Sequence, residues 1–318
     1  MAENNTAVTV KAQAPPNTNS APKSTKPEGA NVQVGVDQKG LPVIPTAYKL
    51  MGVTSGYSPK APEDLRLYIT GPIGEGKSTF ISSIPDNLIL DFEDGANAIP
   101  RGRAARVHIH NYDHLEQVLK KLEEDGTAGK RPFRRVTIDT SDEWVNLVES
   151  QLNKEKSIED VTDFGSKGHG WALIRNRCWA VIRRLENAGY TWCIVGHLTE
   201  RNVTDPVSRK EITVIRPLVF SSLSKQMARN CDMYGNVYAM TQETQQMKTI
   251  KLPDGREQKV PMPGLTTSKS TYYLKITSKV RGIPLINEKI ELQASGGWDT
   301  FKKLYTLSVE DTRKKLSL

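Results

Sequence analysis

Eight consecutive residues, Gly71-Pro72-Ile73-Gly74-Glu75-Gly76-Lys77-Ser78, carry the spacing G-x-x-x-x-G-K-[ST] in full. That spacing suits one task, the gripping of a nucleoside triphosphate by its phosphates. Glycines let successive backbone N–H groups turn inward around a β-phosphate, and a helix starting there adds the positive end of its dipole. Lys77 would reach the β and γ oxygens and the Ser78 hydroxyl would ligate magnesium, with Thr79 closing the binding segment. The segment also lies between an apolar strand run, Leu65 to Thr70, and a helix opening over Lys77 to Ile84. A chance glycine-rich turn has no reason to fall there. ATP with Mg2+ is the expected cofactor.

Two further clusters supply carboxylates. Asp139 ends the apolar run Val136-Thr-Ile-Asp, the form of a Walker B strand, whose terminal carboxylate orients magnesium through water. The alternative is a strand-end Asp that caps the following helix. Leu88-Ile-Leu-Asp91-Phe-Glu93-Asp-Gly95 is the second cluster. Hydrolysis needs a base that places water in line with the γ-phosphate, and Glu93 fits that role; a solvated acidic turn is the other reading. Asp142 and Glu143 follow Asp139 closely and read as favourable charges in the first turn of a helix. His108, His110 and His114 cluster at spacings that fit a surface better than a metal site.

The elements that must position these groups alternate. Strands are expected at Leu65–Thr70, Asn87–Phe92, Arg135–Asp139 and Tyr190–Val195. Between them, Asp113 and Glu116 form a capping box ahead of Leu115, Val118, Leu119 and Leu122, and Ser141 stands as N-cap for Trp144, Val145 and Val148. Trp171 to Ala188 reads as a long amphipathic helix stopped by Gly189. Strand and helix in alternation argue for an α/β fold with a mostly parallel sheet covered on both faces. After Ile212 the texture becomes strand-like: Ile212–Ile215, Tyr234–Met240, a pair around the Asp254-Gly255 turn, and Tyr272–Ser278, before a short helix at Trp298–Tyr305.

With 318 residues, 37% of them hydrophobic, the chain can build one large domain. Residues 1–40, rich in Ala, Asn, Thr, Pro and Lys, are expected to be a disordered tail, residues 41–306 the folded domain and residues 307–318 a basic tail. The 44 basic against 36 acidic residues give a net charge of +8, which suits a polyanionic partner but equally serves solubility. Cys178, Cys193 and Cys231 lack metal-site or disulfide-framework spacing, and no apolar run reaches membrane-spanning length. No membrane association and a cytoplasmic location are expected.

Taken in order, these landmarks resemble a family. Leu90-Asp-Phe-Glu93 is similar to the strand bearing the catalytic glutamate of bacterial RecA, and Val136-Thr-Ile-Asp139-Thr140 to its Walker B strand. Cys193-Ile-Val-Gly-His197 resembles the strand that ends in a polar γ-phosphate sensor, with His197 where RecA has Gln. Leu274-Lys-Ile-Thr-Ser-Lys279-Val-Arg281 resembles the late strand whose basic pair reaches a neighbouring subunit's nucleotide, with Arg281 in place of the second Lys. The D-x-E-x-G turn and the Phe164-Gly165 to Gly170-Trp171 stretch are shared with bacteriophage-encoded RecA-like ATPases, including short single-strand annealing recombination proteins.

The resemblance spans roughly residues 45 to 306, and only its phosphate loop is specific alone. It implies a RecA-like core with antiparallel C-terminal strands, ATP hydrolysis stimulated by DNA, and a homo-oligomer with ATP at its interfaces. Glu93, Lys77, His197, Lys279 and Arg281 would be catalytic. Lys279 and Arg281 could otherwise be solvated strand-end charges. Single-stranded DNA is the implied partner, with a single-strand binding protein as a further candidate and the host cytoplasm as location. DNA contacts would come from two loops, Lys154–His169 with Lys156 and Lys167, and Arg201–Arg216 with Arg201, Arg209 and Lys210. Flexible basic loops with no partner are the competing reading. A helicase-like motor on the same core and a small-substrate P-loop kinase are the alternative functions.

Overall fold

The structure, a computed structural model, describes residues 59–93, 102–163, 168–204, 209–251, 256–276, 289–292 and 296–315, with isolated positions at 46, 50, 283 and 285. The chain divides into Met1–Gly56 and a compact unit, Tyr57–Leu318. The tail expected over residues 1–40 lies outside the described residues. In the compact unit β1 (Leu67–Gly71) leads through the phosphate loop into α1 (Lys77–Ser82), followed by β2 (Asn87–Asp91) and β3 (Ala105–His108). Next come α2 (Tyr112–Thr127), β4 (Arg135–Asp139), α3 (Ser141–Lys156), α4 (His169–Asn187) and β5 (Thr191–Thr204). The remainder is β6 (Glu211–Pro217), α5 (Ser221–Asn230), β7 (Met233–Lys251), β8 (Glu257–Ile276), β9 (Lys289–Leu292) and α6 (Trp298–Lys315).

The strands join in the order β3-β2-β4-β5-β1-β7-β8-β9, with β6 paired to β5. The pairs from β3 through β7 are parallel, and those involving β6, β8 and β9 run antiparallel to their neighbours. Every residue of β1, β2 and β4 is buried, as a parallel sheet covered on both faces requires. The period of two sorts side chains between two cores. Tyr68, Leu90, Ile138 and Ile194 pack under α2, α3, α4 and α5, against Leu119, Trp144, Ile182 and Leu223. Leu67, Ile69, Ile89 and Val195 pack on the other face, against Phe80 and Ile81 of α1 and Trp298, Phe301 and Tyr305 of α6. The expected mostly parallel α/β sheet with antiparallel C-terminal strands is therefore the fold. Among the described residues no helix is long and apolar enough to cross a membrane.

Two ribbons run on past the carboxyl end of the sheet. β5 pairs with β1 as far as His197, and from Leu198 it pairs with β6. β7 pairs with β1 only through Asn236, then continues alongside β8 as far as Lys251 opposite Glu257. Both ribbons flank the phosphate loop.

The structure departs from the sequence reading at several ends. The cap of α2 is Asn111, whose side chain accepts the His114 N–H at 2.9 Å, so Asp113 falls within the first turn rather than forming a box with Glu116. Thr140, not Ser141, is the N-cap of α3. Strand β3 and helix α5 have no counterpart in the expected elements. The segment Arg201–Arg216, expected as a loop, is mostly the β5–β6 hairpin, whose cross-strand register pairs Arg201 with Val214 and Thr199 with Arg216. The last helix does not stop near Tyr305. It runs to Lys315 with Ser308 and Val309 buried, so the stretch expected as a basic tail is largely helical.

Candidate nucleotide-binding site

The phosphate loop leaves β1 between two neighbours that constrain it. A Cβ on Gly71 would lie 2.5 Å from the Val237 carbonyl oxygen of β7, so only glycine allows that approach. Gly76, the residue before α1, has φ of 89°, a left-handed conformation that L side chains resist. Pro72, Ile73 and Gly74 form the exposed apex, while Glu75 turns its carboxylate back to accept the Ala239 N–H of β7. The ring of Tyr272 on β8 packs against Gly76. The loop is thus braced by the β7–β8 ribbon.

Lys77 is buried, and its ammonium donates to the carbonyls of Gly71 at 3.0 Å and Pro72 at 2.6 Å. Burial pulls its pKa down, against the charges of Asp139, Glu93, Asp142 and Glu75. Four carboxylates within electrostatic reach of one ammonium leave the loop's surroundings acidic. A triphosphate there would require a divalent cation to offset that charge. The local chemistry fits one. Ser78 Oγ donates to Asp139 Oδ2 at 3.0 Å, while Asp139 Oδ1 is buried with no hydrogen-bond partner among the described residues. Burial raises the Asp139 carboxyl to about 6, helped by Glu93 and Asp91 and opposed by the Ser78 hydrogen bond. Ser78 and Asp139 would hold magnesium, which would neutralise charge on the β and γ oxygens.

The sheet order brings the remaining groups alongside. Asp91 pairs with Asp139, and His197 pairs with Gly71, so the ends of β2, β4, β5 and β1 form one row. Glu93 stands two residues beyond Asp91, its backbone N–H donating to the Asp91 carboxylate at 3.1 Å. Its own carboxylate accepts the Thr140 hydroxyl at 2.7 Å and lies 3.4 Å from His197 Nδ1. The Asp139–Thr140 peptide that joins the two positions is cis.

His197 is held by a residue whose part the sequence did not reveal. Asp142 Oδ2 lies 2.7 Å from His197 Nδ1, and Asp142 Oδ1 accepts the His197 backbone N–H at 3.2 Å. Burial works to raise the Asp142 carboxyl, but the hydrogen bonds and charge of His197 outweigh it and hold the group below its usual range. By its place in the sequence Asp142 reads mainly as a helix-dipole charge. It does sit in the first turn of α3, yet its partner lies 55 residues away. Glu93, Asp142 and His197 form the one group of three potential metal-ligating side chains among the described residues. The 2.7 Å separation is a hydrogen-bond distance: Asp142 and His197 bond to each other, and Glu93 accepts from Thr140.

Not every expected site residue falls in this cluster. Lys279, Arg281 and Lys167 lie outside the described residues. Lys156 is in the last turn of α3, roughly 21 Å of helix from Asp142. Arg201 is exposed on the β5–β6 ribbon, and Arg209 and Lys210 are exposed just before β6. Trp171, expected only as the start of a helix and part of the Gly170-Trp171 stretch, meets Phe220 with ring centroids 5.1 Å apart, a contact the sequence did not indicate.

Comparison with known proteins bears on this arrangement. No curated protein sequence matches the chain. Among solved structures, a KaiC-like protein from the hyperthermophilic archaeon Pyrococcus horikoshii OT3 is 14% identical, with 74% of this chain and 89% of that one covered and a TM-score of 0.39. The RadB recombinase is 12% identical, with 79% and 94% covered and a TM-score of 0.36. A family described as an AAA domain matches residues 63–280, from the turn before β1 past the end of β8. That match covers more than half of the chain and includes its intact phosphate loop, so the chain belongs to the AAA-domain family and is a P-loop ATPase.

Proposed function

We propose that the chain hydrolyses Mg-ATP as a RecA-type ATPase that assembles on single-stranded DNA, in recombination or annealing of the kind performed by the phage-encoded ATPases it resembles. The observation that carries the ATPase reading is the position of Glu93. Its carboxylate is oriented by Thr140 and approached by His197, at the sheet end where Lys77, Ser78 and Asp139 also gather. Glu93 takes a proton from the attacking water, and Thr140 keeps the carboxylate aimed. Lys77 leaves the loop carbonyls for the phosphate oxygens, a change favoured by the stronger charge-assisted bond. His197, oriented through Asp142, stands at this end of the sheet as the γ-phosphate sensor that the resemblance implies.

Assembly and DNA rest on different support. A basic ribbon beside the nucleotide site carries Arg201 and Arg216, with Arg209 and Lys210 at its turn, and the chain has a net charge of +8. Lys279 and Arg281 follow β8, the strand that braces the phosphate loop, and would act on a neighbouring subunit's nucleotide. Phosphate release measured with and without single-stranded DNA, across a range of protein concentrations, tests both parts. Turnover per chain should rise with concentration and rise again with DNA. Turnover insensitive to both would remove assembly and DNA from the reading and leave an ATPase of other purpose.

A further inference from the structure

Glu93, Asp142 and His197 meet from three separate elements: the turn after β2, the first turn of α3, and the point where β5 leaves β1. Each offers a metal-ligating atom, and the three atoms lie within 4.8 Å of one another. Asp142 and His197 are buried, while the Glu93 side chain is 34% exposed, which leaves it room to adjust. The spacing is close to that of a zinc site. With bonds of about 2.0–2.2 Å, two ligands of a tetrahedral zinc stand roughly 3.3–3.6 Å apart. His197 Nδ1 and Glu93 Oε1 are already 3.4 Å apart. Asp142 Oδ2, now 2.7 Å from Nδ1, would withdraw by about 0.6–0.9 Å. It can do so and keep its hold on the fold, because Oδ1, not Oδ2, accepts the His197 backbone N–H.

We propose that Glu93, Asp142 and His197 form a second cation site, which takes a transition-metal dication such as Zn2+, and that filling it switches hydrolysis off. The site is separate from Ser78 and Asp139, which would hold magnesium. The switch rests on Glu93 as the base of the ATPase reading above; the binding does not. The ligand set selects the metal. Mg2+ keeps oxygen ligands and several waters in an octahedron, whereas an imidazole nitrogen beside carboxylates suits zinc and its transition-metal neighbours. Three protein ligands leave a fourth position for water. The surrounding charge also favours a cation: Asp139, Glu93, Asp142 and Glu75 all act on the ammonium of Lys77, and Asp142 is held below its usual range, as a carboxylate.

Other zinc-binding side chains are placed less well. His108, His110 and His114 touch, with ring centroids 4.5 and 5.3 Å apart, but their ligating atoms do not converge as a group of three. Burial pushes the thiols of Cys178, Cys193 and Cys231 up, away from the thiolate that a metal requires. Zinc at Glu93, Asp142 and His197 takes both the carboxylate that would accept the proton of water and the imidazole beside it. Hydrolysis stops with the nucleotide still held, since no residue of the phosphate loop is a ligand.

Zinc affinity by competition with a chromophoric chelator tests the site, and phosphate release at fixed Mg-ATP over a series of buffered free zinc concentrations tests the switch. In wild type, turnover should fall along the zinc-binding curve while a fluorescent ATP analogue stays bound. His197→Gln and Asp142→Asn should each weaken zinc by more than the roughly 10–100-fold that loss of an outer-shell partner costs. The ATP analogue reports that both are folded, and Glu93→Gln, at the exposed ligand, gives a third variant. His110→Ala with His114→Ala should bind zinc as wild type does, and raising magnesium should leave the inhibition in place. Zinc binding that survives in the three ligand variants, or that is lost with His110 and His114, would overturn the site. Relief by magnesium would move zinc to Ser78 and Asp139 and overturn it too. Zinc bound through these residues with turnover undiminished would keep the site but overturn the switch, and with it Glu93 as the base. A wild type that releases no phosphate would remove the ATPase reading, and the chelator competition would still decide the site.

Discussion

Asp142 makes two buried hydrogen bonds to one residue, and truncating it should separate stability from chemistry. Asp142→Ala removes the acceptor of the His197 backbone N–H and the partner of its ring, at 3.2 and 2.7 Å. A buried N–H left without an acceptor costs about 1–3 kcal/mol, and removal of the charged partner adds about 1 kcal/mol. The fold should therefore lose about 2–4 kcal/mol, and Tm should fall by roughly 4–16 °C for a unit of this size. Asp142→Asn keeps an oxygen for the N–H and should fall between wild type and Ala. The pH dependence has a definite sign. Asp142 is held below its ordinary 3.8 in the folded chain, so its contribution is present above that pH and lost as pH drops through the folded value. The Tm gap between wild type and Asp142→Asn should close below about pH 4.

Turnover is the sharper readout. Without Asp142 the imidazole has Glu93 Oε1 as its remaining anionic neighbour, at 3.4 Å. Pairing there takes the base out of position, so kcat should fall about 10–100-fold, equivalent to about 1.4–2.8 kcal/mol, with ATP affinity little changed. Because Asp142 acts through His197, Asp142→Ala with His197→Ala should lose no more turnover than His197→Ala alone. Phosphate release at saturating ATP and a thermal melt of the four proteins complete the cycle. Additive losses in kcat, or an Asp142→Ala protein that turns over at the wild-type rate, would show that Asp142 only holds the fold.

Lys77→Ala removes the cation facing the phosphates and should abolish hydrolysis and strongly weaken binding of a fluorescent ATP analogue; wild-type turnover would sink the phosphate-loop assignment. Glu93→Gln should keep ATP bound and slow its cleavage about 100-fold or more in a single-turnover assay, whereas normal cleavage would move the base elsewhere. Gly71→Ala places a methyl 2.5 Å from the Val237 carbonyl and should cost about 1–3 kcal/mol in a denaturant melt, because β7 cannot retreat without leaving β1. Mixing Lys77→Ala with Arg281→Ala protein should restore part of the ATPase activity if each site is shared between chains; a mixture no more active than its parts would place Arg281 outside any neighbour's site.

The nucleotide-binding half of the site was legible because its signals are local. The Gly71–Ser78 spacing, the apolar runs of β1, β2 and β4 and the carboxylates that end them all lie within a few residues of the groups they position. A parallel sheet buried on both faces demands continuous apolar runs, and such runs are hard to mistake. Elements lacking that demand were missed or cut short. Among the described residues β3 pairs with β2 alone, at the edge of the sheet, and α5 buries only Leu223, Ser224 and Met227. The outer half of β7 is mostly Gln, Thr and Lys and that of β8 is interrupted by Pro261, Pro263 and Gly264, and they pair with each other, so no core imposed an alternation on them. The basic Arg201–Arg216 segment announced its charge but not its form, since a solvated ribbon and a loop can share a composition.

Composition and spacing determined by themselves that this chain has a phosphate loop and carboxylates at the ends of two apolar strands. Which of those groups meet was decided by the strand order. By placing β5 between β1 and β4, the fold sets His197 beside Gly71 and within reach of Asp142 and Glu93, residues 55 and 104 positions away in the chain. The same fold brings Trp171, from the helix before β5, against Phe220, which follows β6. Sequence separation carries no distance once a chain is folded. A carboxylate that looked like a helix-dipole charge became the support of the imidazole because tertiary packing removed water from both and left each as the other's hydrogen-bond partner.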